Sequence, residues 1–222
     1  MSVFKVGLRA FVLALVLTTT HANTSAAQDA RYDILIRSGT VIDGTGSPGF
    51  AADVGVRDGK IVFIGDGVDS EAETVIDDAG LVVAPGFLDP HNHVAVTLGG
   101  PETHLVGNFV RQGVTTMITG PDGLHPPSVI RDFRDRFREG GLGPNVAFYV
   151  GHGGIRREVM GDAARLPTPE ELERMKALAR EGMELGAVGM SAGLGAEPGI
   201  FSDTDEIVAL ATEVAPYDGI YN

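Results

Sequence analysis

The chain contains no cysteine. That absence excludes a disulfide framework, a thiolate nucleophile and every cysteine-ligated zinc or iron–sulfur site, so any metal falls to His, Asp or Glu. Positive charge is scarce as well: 17 Lys and Arg stand against 30 Asp and Glu, for a formal net charge of −13. With no basic stripe to oppose that balance, a nucleic-acid partner held by phosphate neutralisation is excluded. No Gly-x-Gly-x-x-Gly turn follows the first strand of the βα region described below, and no Gly-x-x-x-x-Gly-Lys-Ser/Thr loop occurs, which argues against a nucleotide.

What remains is ordinary globular material: 222 residues, 43% hydrophobic and 21% charged, enough for one large domain or one and a half smaller ones. Residues 1–27 are set apart from folding. Lys5 and Arg9 precede the apolar run Ala10-Phe11-Val12-Leu13-Ala14-Leu15-Val16-Leu17, and Ser25-Ala26-Ala27 offers the small residues of a cleavage site, with Thr20-His21-Ala22 as a second choice. The run is too short to be an ordinary bilayer span. We therefore expect a signal peptide, an exported (periplasmic or secreted) protein and no stable membrane anchor.

Residues 32–83 read as short strands and tight turns. Asp53-Val54-Gly55-Val56 and Lys60-Ile61-Val62-Phe63-Ile64 flank Arg57-Asp58-Gly59, and Asp58-Gly59 suits a two-residue type I′ hairpin. Next comes Val82-Val83-Ala84-Pro85-Gly86-Phe87-Leu88-Asp89-Pro90-His91-Asn92-His93, an apolar run read as a strand buried on both faces. Alternation along a strand sends His91 and His93 to one face and Asn92 to the other. Two imidazoles on one rigid element form half of a metal site. The plain alternative is a pair of ordinary loop histidines.

Beyond His93 strands alternate with helices. Leu105, Phe109 and Val110 outline a short helix, and Ile130, Phe133 and Phe137 a second one. Thr168-Pro169-Glu170-Glu171 is a complete helix opening with a capping box, and residues 202–205 open a further helix closed by Pro216. Strand starts near Gly86, Val114, Asn145, Ala187 and Gly219 recur every roughly thirty to forty residues, the size of a strand plus its crossover helix. Two architectures satisfy this alternation, a (β/α)8 barrel and an open doubly wound sheet, and both put active sites at the carboxyl ends of strands. His91, His93, Asp122, His152 and Ser191 all fall at such ends. Asp122, in Gly120-Pro121-Asp122-Gly123, reads either as a metal ligand or as a turn residue capping its own backbone. His152 reads as a ligand, a hydrogen-bonding group for substrate or a structural histidine. Ser191 has no base nearby in sequence, so a nucleophilic role is disfavoured. A metal that activates water against a polarised carbonyl is the economical chemistry for this donor set.

Tyr32-Asp33-Ile34-Leu35-Ile36, Gly39-Thr40-Val41-Ile42-Asp43-Gly44-Thr45-Gly46 and Pro85-Gly86-Phe87-Leu88-Asp89-Pro90-His91-Asn92-His93 together resemble the opening of the metal-dependent amidohydrolase superfamily. Gly113-Val114-Thr115-Thr116, Val150-Gly151-His152-Gly153, Val159-Met160-Gly161 and Ser191-Ala192-Gly193-Leu194 narrow the resemblance to its D-aminoacylase (N-acyl-D-amino-acid deacylase) branch. The resemblance implies an α/β fold, a small β-sandwich segment (32–83) followed by about the first half of a partial (β/α)8 TIM-type barrel (84–222). It implies zinc, as one or two divalent ions, held in this chain by His91, His93 and Asp122, with His152 in contact with a small-molecule substrate. The implied reaction is hydrolysis of an N-acyl-D-amino acid to a carboxylate and a D-amino acid. Alternatives are a cyclic amide or a D-dipeptide as substrate, or a non-catalytic fragment with weak metal or partner binding.

Asp122 stands where many relatives of that family carry a metal-binding Cys, and Gly195-Ala196 where they carry a large apolar residue and a Tyr. The histidine ligands expected on the fifth and sixth strands and the catalytic Asp expected after the eighth lie beyond Asn222. No catalytic residue is therefore expected within the chain, and the 222 residues alone are expected to be inactive.

Overall fold

Asp58 and Gly59 both adopt positive φ, 52° and 69°, as a type I′ turn demands, and they join two strands in register through Arg57 and Lys60. The computed structural model describes residues 31–222 apart from 68, 70, 99 and 101, so the signal peptide expected over 1–27 lies outside the described residues. The chain divides into two compact units at Pro85/Gly86.

The first unit is one mixed sheet of β1 (Tyr32–Val41), β2 (Phe50–Arg57), β3 (Lys60–Gly65), β4 (Ala72–Asp77) and β5 (Val82–Val83). Its order is β3-β2-β1-β4, with β5 also on β1; β2 runs antiparallel to its neighbours, and β4 and β5 run parallel to β1. Tyr32 and Leu35 pack with Phe63 and Ala72, and Val41, Ala52 and Val54 pack with Ile36 and Val83. The loop Gly44-Thr45-Gly46-Ser47-Pro48-Gly49 has the spacing of a dinucleotide loop, but it opens a strand, β2, and so lacks the helix N-terminus that would receive a pyrophosphate.

The second unit contains β6 (Phe87–Asn92), α1 (Ala95–Leu98), α2 (Gly107–Val110), β7 (Val114–Thr119), α3 (Pro127–Gly140), β8 (Asn145–Gly151), α4 (His152–Met160), α5 (Pro169–Glu184), β9 (Gly189–Ser191), α6 (Thr204–Val214) and β10 (Ile220–Tyr221). All neighbouring strands are parallel, in the order β10-β9-β8-β7-β6. Spatial order follows chain order without reversal. That is the winding of a barrel and not of a doubly wound sheet, so the unit is part of a (β/α)8 TIM-type barrel. Its core holds Met117, Ile130, Val150, Ile155, Met175, Met190 and Leu210, with Phe133, Phe137 and Phe148 stacked at centroid distances of 5.7–6.1 Å.

Three expectations require correction. The run 82–93 is not one strand: it divides into β5 and β6, which belong to different sheets. Nor is it buried on both faces: among the described residues β6 bonds to β7 alone, and Phe87 is 62% and Leu88 54% exposed. Helix α4 was unforeseen, since Gly153 and Gly154 are poor helix formers; Leu105, expected on one short helix with Phe109 and Val110, lies exposed before α2 begins. The opening of α5 follows its sequence: Thr168 accepts from the Glu171 amide, and Glu171 accepts from the Thr168 amide. Among the described residues, no helix is long and apolar enough to cross a membrane.

Candidate metal centre

β6 and the residue that follows it deliver the two histidines as strand alternation requires. Asn92 turns inward, buried, and donates through Nδ2 to the Ile118 carbonyl at 3.1 Å, while His91 and His93 emerge together with ring centroids 5.6 Å apart. The parallel register that sets Asn92 beside Thr119 brings the end of β7 next to them. Asp122, three residues further on, approaches His93 at 3.3 Å, Oδ2 to Nε2. One donor atom from each of His91, His93 and Asp122 lies within 4.8 Å of the others, and all three residues are exposed.

That donor set fits a divalent metal of the zinc type. Two imidazole nitrogens and one carboxylate oxygen are the ligands such an ion accepts in the absence of thiolates, and tetrahedral bonds of about 2.1 Å would set neighbouring donors about 3.4 Å apart. A third histidine, His125, packs edge-on to Phe133 at 5.3 Å; burial first, and the nearby His93 second, lower its pKa.

Asp122 has φ 58°, a left-handed backbone that only Asn, Asp and Gly adopt readily. Asp122 thus sits in a turn, while its carboxylate reaches across to His93. Ser191 at the end of β9 grips the same turn. Its hydroxyl donates to the Gly120 carbonyl at 2.6 Å and accepts from the Gly123 amide at 3.0 Å, entirely buried. The Gly123 carbonyl in turn accepts from the Gly154 amide, at 2.7 Å, in α4.

Beside Asp122 opens a cavity of about 380 Å³, walled by Gly123, Leu124, Gly153, Gly193, Gly195, Ala196, Glu197 and Pro198 and carrying Arg157. Arg157 pairs through Nε with Asp162 at 3.5 Å, and its side chain is half exposed.

His152 is placed elsewhere. It begins α4, fully buried, with Nε2 2.7 Å from Glu206 Oε1, while Arg156 holds the other oxygen of the same carboxylate. It belongs neither to the group of His91, His93 and Asp122 nor to the cavity wall. Its Nδ1 is buried without a hydrogen-bond partner among the described residues. Glu206 was overlooked in the sequence because it resembles an ordinary acidic residue in the first turn of a helix. A signal was present: Glu206, Leu210 and Val214 recur at intervals of four, which places a carboxylate in register with the core face.

No protein-family model matches the chain. It is 35% identical over 224 aligned residues to a D-aminoacylase of Alcaligenes xylosoxydans xylosoxydans, an alignment covering 89% of this chain and 45% of that one. A solved D-aminoacylase with a binuclear metal centre superimposes with a TM-score of 0.77 at 34% identity, over 86% of this chain and 44% of the other. A Bordetella bronchiseptica N-acyl-D-glutamate deacylase, solved with zinc and a phosphonate that mimics the tetrahedral intermediate, gives 0.79 at 30% identity over the same shares. The chain thus spans less than half the length of the relatives it matches. By sequence and by fold it is related to the D-aminoacylase branch of the amidohydrolases and matches the N-terminal half of those proteins.

Proposed function

We propose that these residues form the metal-holding first half of an enzyme that hydrolyses the linear amide of an N-acyl-D-amino acid, releasing a carboxylate and a D-amino acid. The observation that carries the proposal is the convergence of His91, His93 and Asp122 at the carboxyl ends of β6 and β7, in a fold whose relatives include D-aminoacylase and a zinc-containing deacylase. A bound zinc ion would polarise the amide carbonyl and lower the pKa of a water to about 7. The chain's own part is to supply two imidazole nitrogens and one carboxylate oxygen at neighbouring strand ends, and to offer the cavity beside Asp122 as room for the substrate. His152, fully buried against Glu206 and away from the cavity wall, has a structural part here and no contact with the substrate.

Zinc binding tests the site directly. Calorimetric titration of the 222-residue chain should give saturable binding that His91→Ala and His93→Ala abolish; equal binding by both variants overturns it. Turnover tests the reaction. A chain extended to the length of its relatives should cleave N-acetyl-D-amino acids in preference to hydantoins and D-dipeptides, whereas the 222 residues alone should show no zinc-dependent deacylase activity. Export through residues 1–27 belongs to the same proposal, and N-terminal sequencing of the mature protein should find it starting after Ala27.

A further inference from the structure

Ser191 lies 68 residues from Gly123 in sequence and 71 from Gly120, yet its one hydroxyl bonds to both. Those two bonds bracket Pro121 and Asp122. The hydroxyl proton is given to the Gly120 carbonyl and the oxygen is occupied by the Gly123 amide, so Ser191 is equipped to hold a turn and not to attack a substrate. The packing around this turn is tight. A side chain at Gly193 would meet the Asp122 carbonyl oxygen at 2.5 Å, and one at Gly123 would meet the Gly153 and Gly193 amides at 3.0 and 3.1 Å. Asp122 itself sits in the left-handed region, which a non-glycine residue keeps only when its surroundings hold it there.

We infer that Ser191 is the positioning residue of the metal centre: by tying both ends of the turn after β7 to the end of β9, it aims the Asp122 carboxylate at His93. The inference rests on the proposal that Asp122 is a metal ligand. Without the hydroxyl, a buried carbonyl and a buried amide lose their partner, and the turn is free to relax from the conformation that directs Asp122 toward β6. Groups that orient metal ligands in this way typically change metal affinity by about 10–100-fold when removed.

The test is a double-mutant cycle read by zinc calorimetry on the 222-residue chain. Ser191→Ala should weaken zinc binding by about 10–100-fold with unchanged stoichiometry, and Ser191→Thr, which keeps the hydroxyl, should restore most of the loss. In an Asp122→Asn background, Ser191→Ala should weaken binding no further, because the residue acts through Asp122. Hydrogen exchange at the Gly123 amide should accelerate in Ser191→Ala. Should that variant fail to fold, Ser191→Cys, similar in volume but a poor hydrogen-bonding group, takes its place.

Affinity within twofold of wild type in Ser191→Ala, while Asp122→Asn weakens binding, overturns the inference. So does an equal loss in the presence and absence of Asp122, which would mark Ser191 as merely structural. Unchanged affinity in Asp122→Asn has a different meaning: it sinks the assignment of Asp122 as a ligand, and the positioning role with it.

Discussion

The second unit contains two histidine–carboxylate pairs built from the same chemistry and placed in opposite surroundings. His93 and Asp122 meet at 3.3 Å with both side chains about half exposed; His152 and Glu206 meet at 2.7 Å with essentially none of either exposed. Each draws its partners from different strand or helix ends. The open pair has His91 as an additional donor and a cavity beside it, so it can admit a ligand. The sealed pair has Arg156 on the second carboxylate oxygen, and Arg156 in turn donates to the Arg165 carbonyl, so both oxygens of the carboxylate are taken up within the protein, while His152 Nδ1 is shut away from any ligand. Residue type does not separate a site from a strut; access does.

Four experiments can break or sharpen that contrast. The largest effect is expected at the sealed pair. Glu206→Leu strands the buried Arg156 charge and should lower stability by about 3–5 kcal/mol in urea unfolding followed by circular dichroism. Asp122→Asn should change the same unfolding curve by less than about 0.5 kcal/mol, as exposed positions do; equal losses would erase the distinction.

Second comes ligand linkage. Zinc at about 100 times its dissociation constant should raise the unfolding free energy by about 2.7 kcal/mol, and His93→Ala should remove that gain. A gain that survives in His93→Ala would place the metal elsewhere.

The third and fourth experiments concern a partly buried carboxylate whose role is structural. Thr168→Ala breaks the capping box of α5 and should cost about 1 kcal/mol by thermal unfolding. Glu171, bonded first by Arg165 and then by the Thr168 amide, has its pKa lowered from 4.5 to about 2. A depressed carboxylate stabilises the fold above its unfolded pKa, so this contribution is complete above about pH 4.5 and is lost as the pH falls toward 2. Glu171→Gln should flatten the stability profile within that window; an unchanged profile would show that the pairing with Arg165 contributes nothing.

How much of this was legible in the sequence depended on how local each cause was. The Asp58-Gly59 hairpin, the capping box at Thr168 and the shared face of His91 and His93 follow from a few adjacent residues, and the structure contains them. Helix α4 did not show because Gly153-Gly154 lacks propensity. Its place comes from packing: Ile155 is fully buried, and a side chain on Gly154 would collide with Pro126. Asp122 could be read only as one of two alternatives, since its carboxylate meets a partner fixed by the pairing of β6 with β7. Ser191 carried no signal of its clamp, because both bonds span some seventy residues. The exposure of β6 was misjudged for a related reason: an apolar run reports what a strand can bury, whereas its neighbours decide what it does bury.

The loop after β9 carries one further consequence. Gly193 cannot accept a side chain without meeting the Asp122 carbonyl, yet Gly195, two residues on, would direct a Cβ into space with nothing within 4 Å, on the wall of the same cavity. Fixed and free positions therefore alternate along one short segment. A methyl group at 195 meets no atom, whereas one at 193 would press on the turn that holds Asp122, so the wall of the chamber can be altered at 195 apart from the geometry of the metal ligands, in the laboratory or by selection.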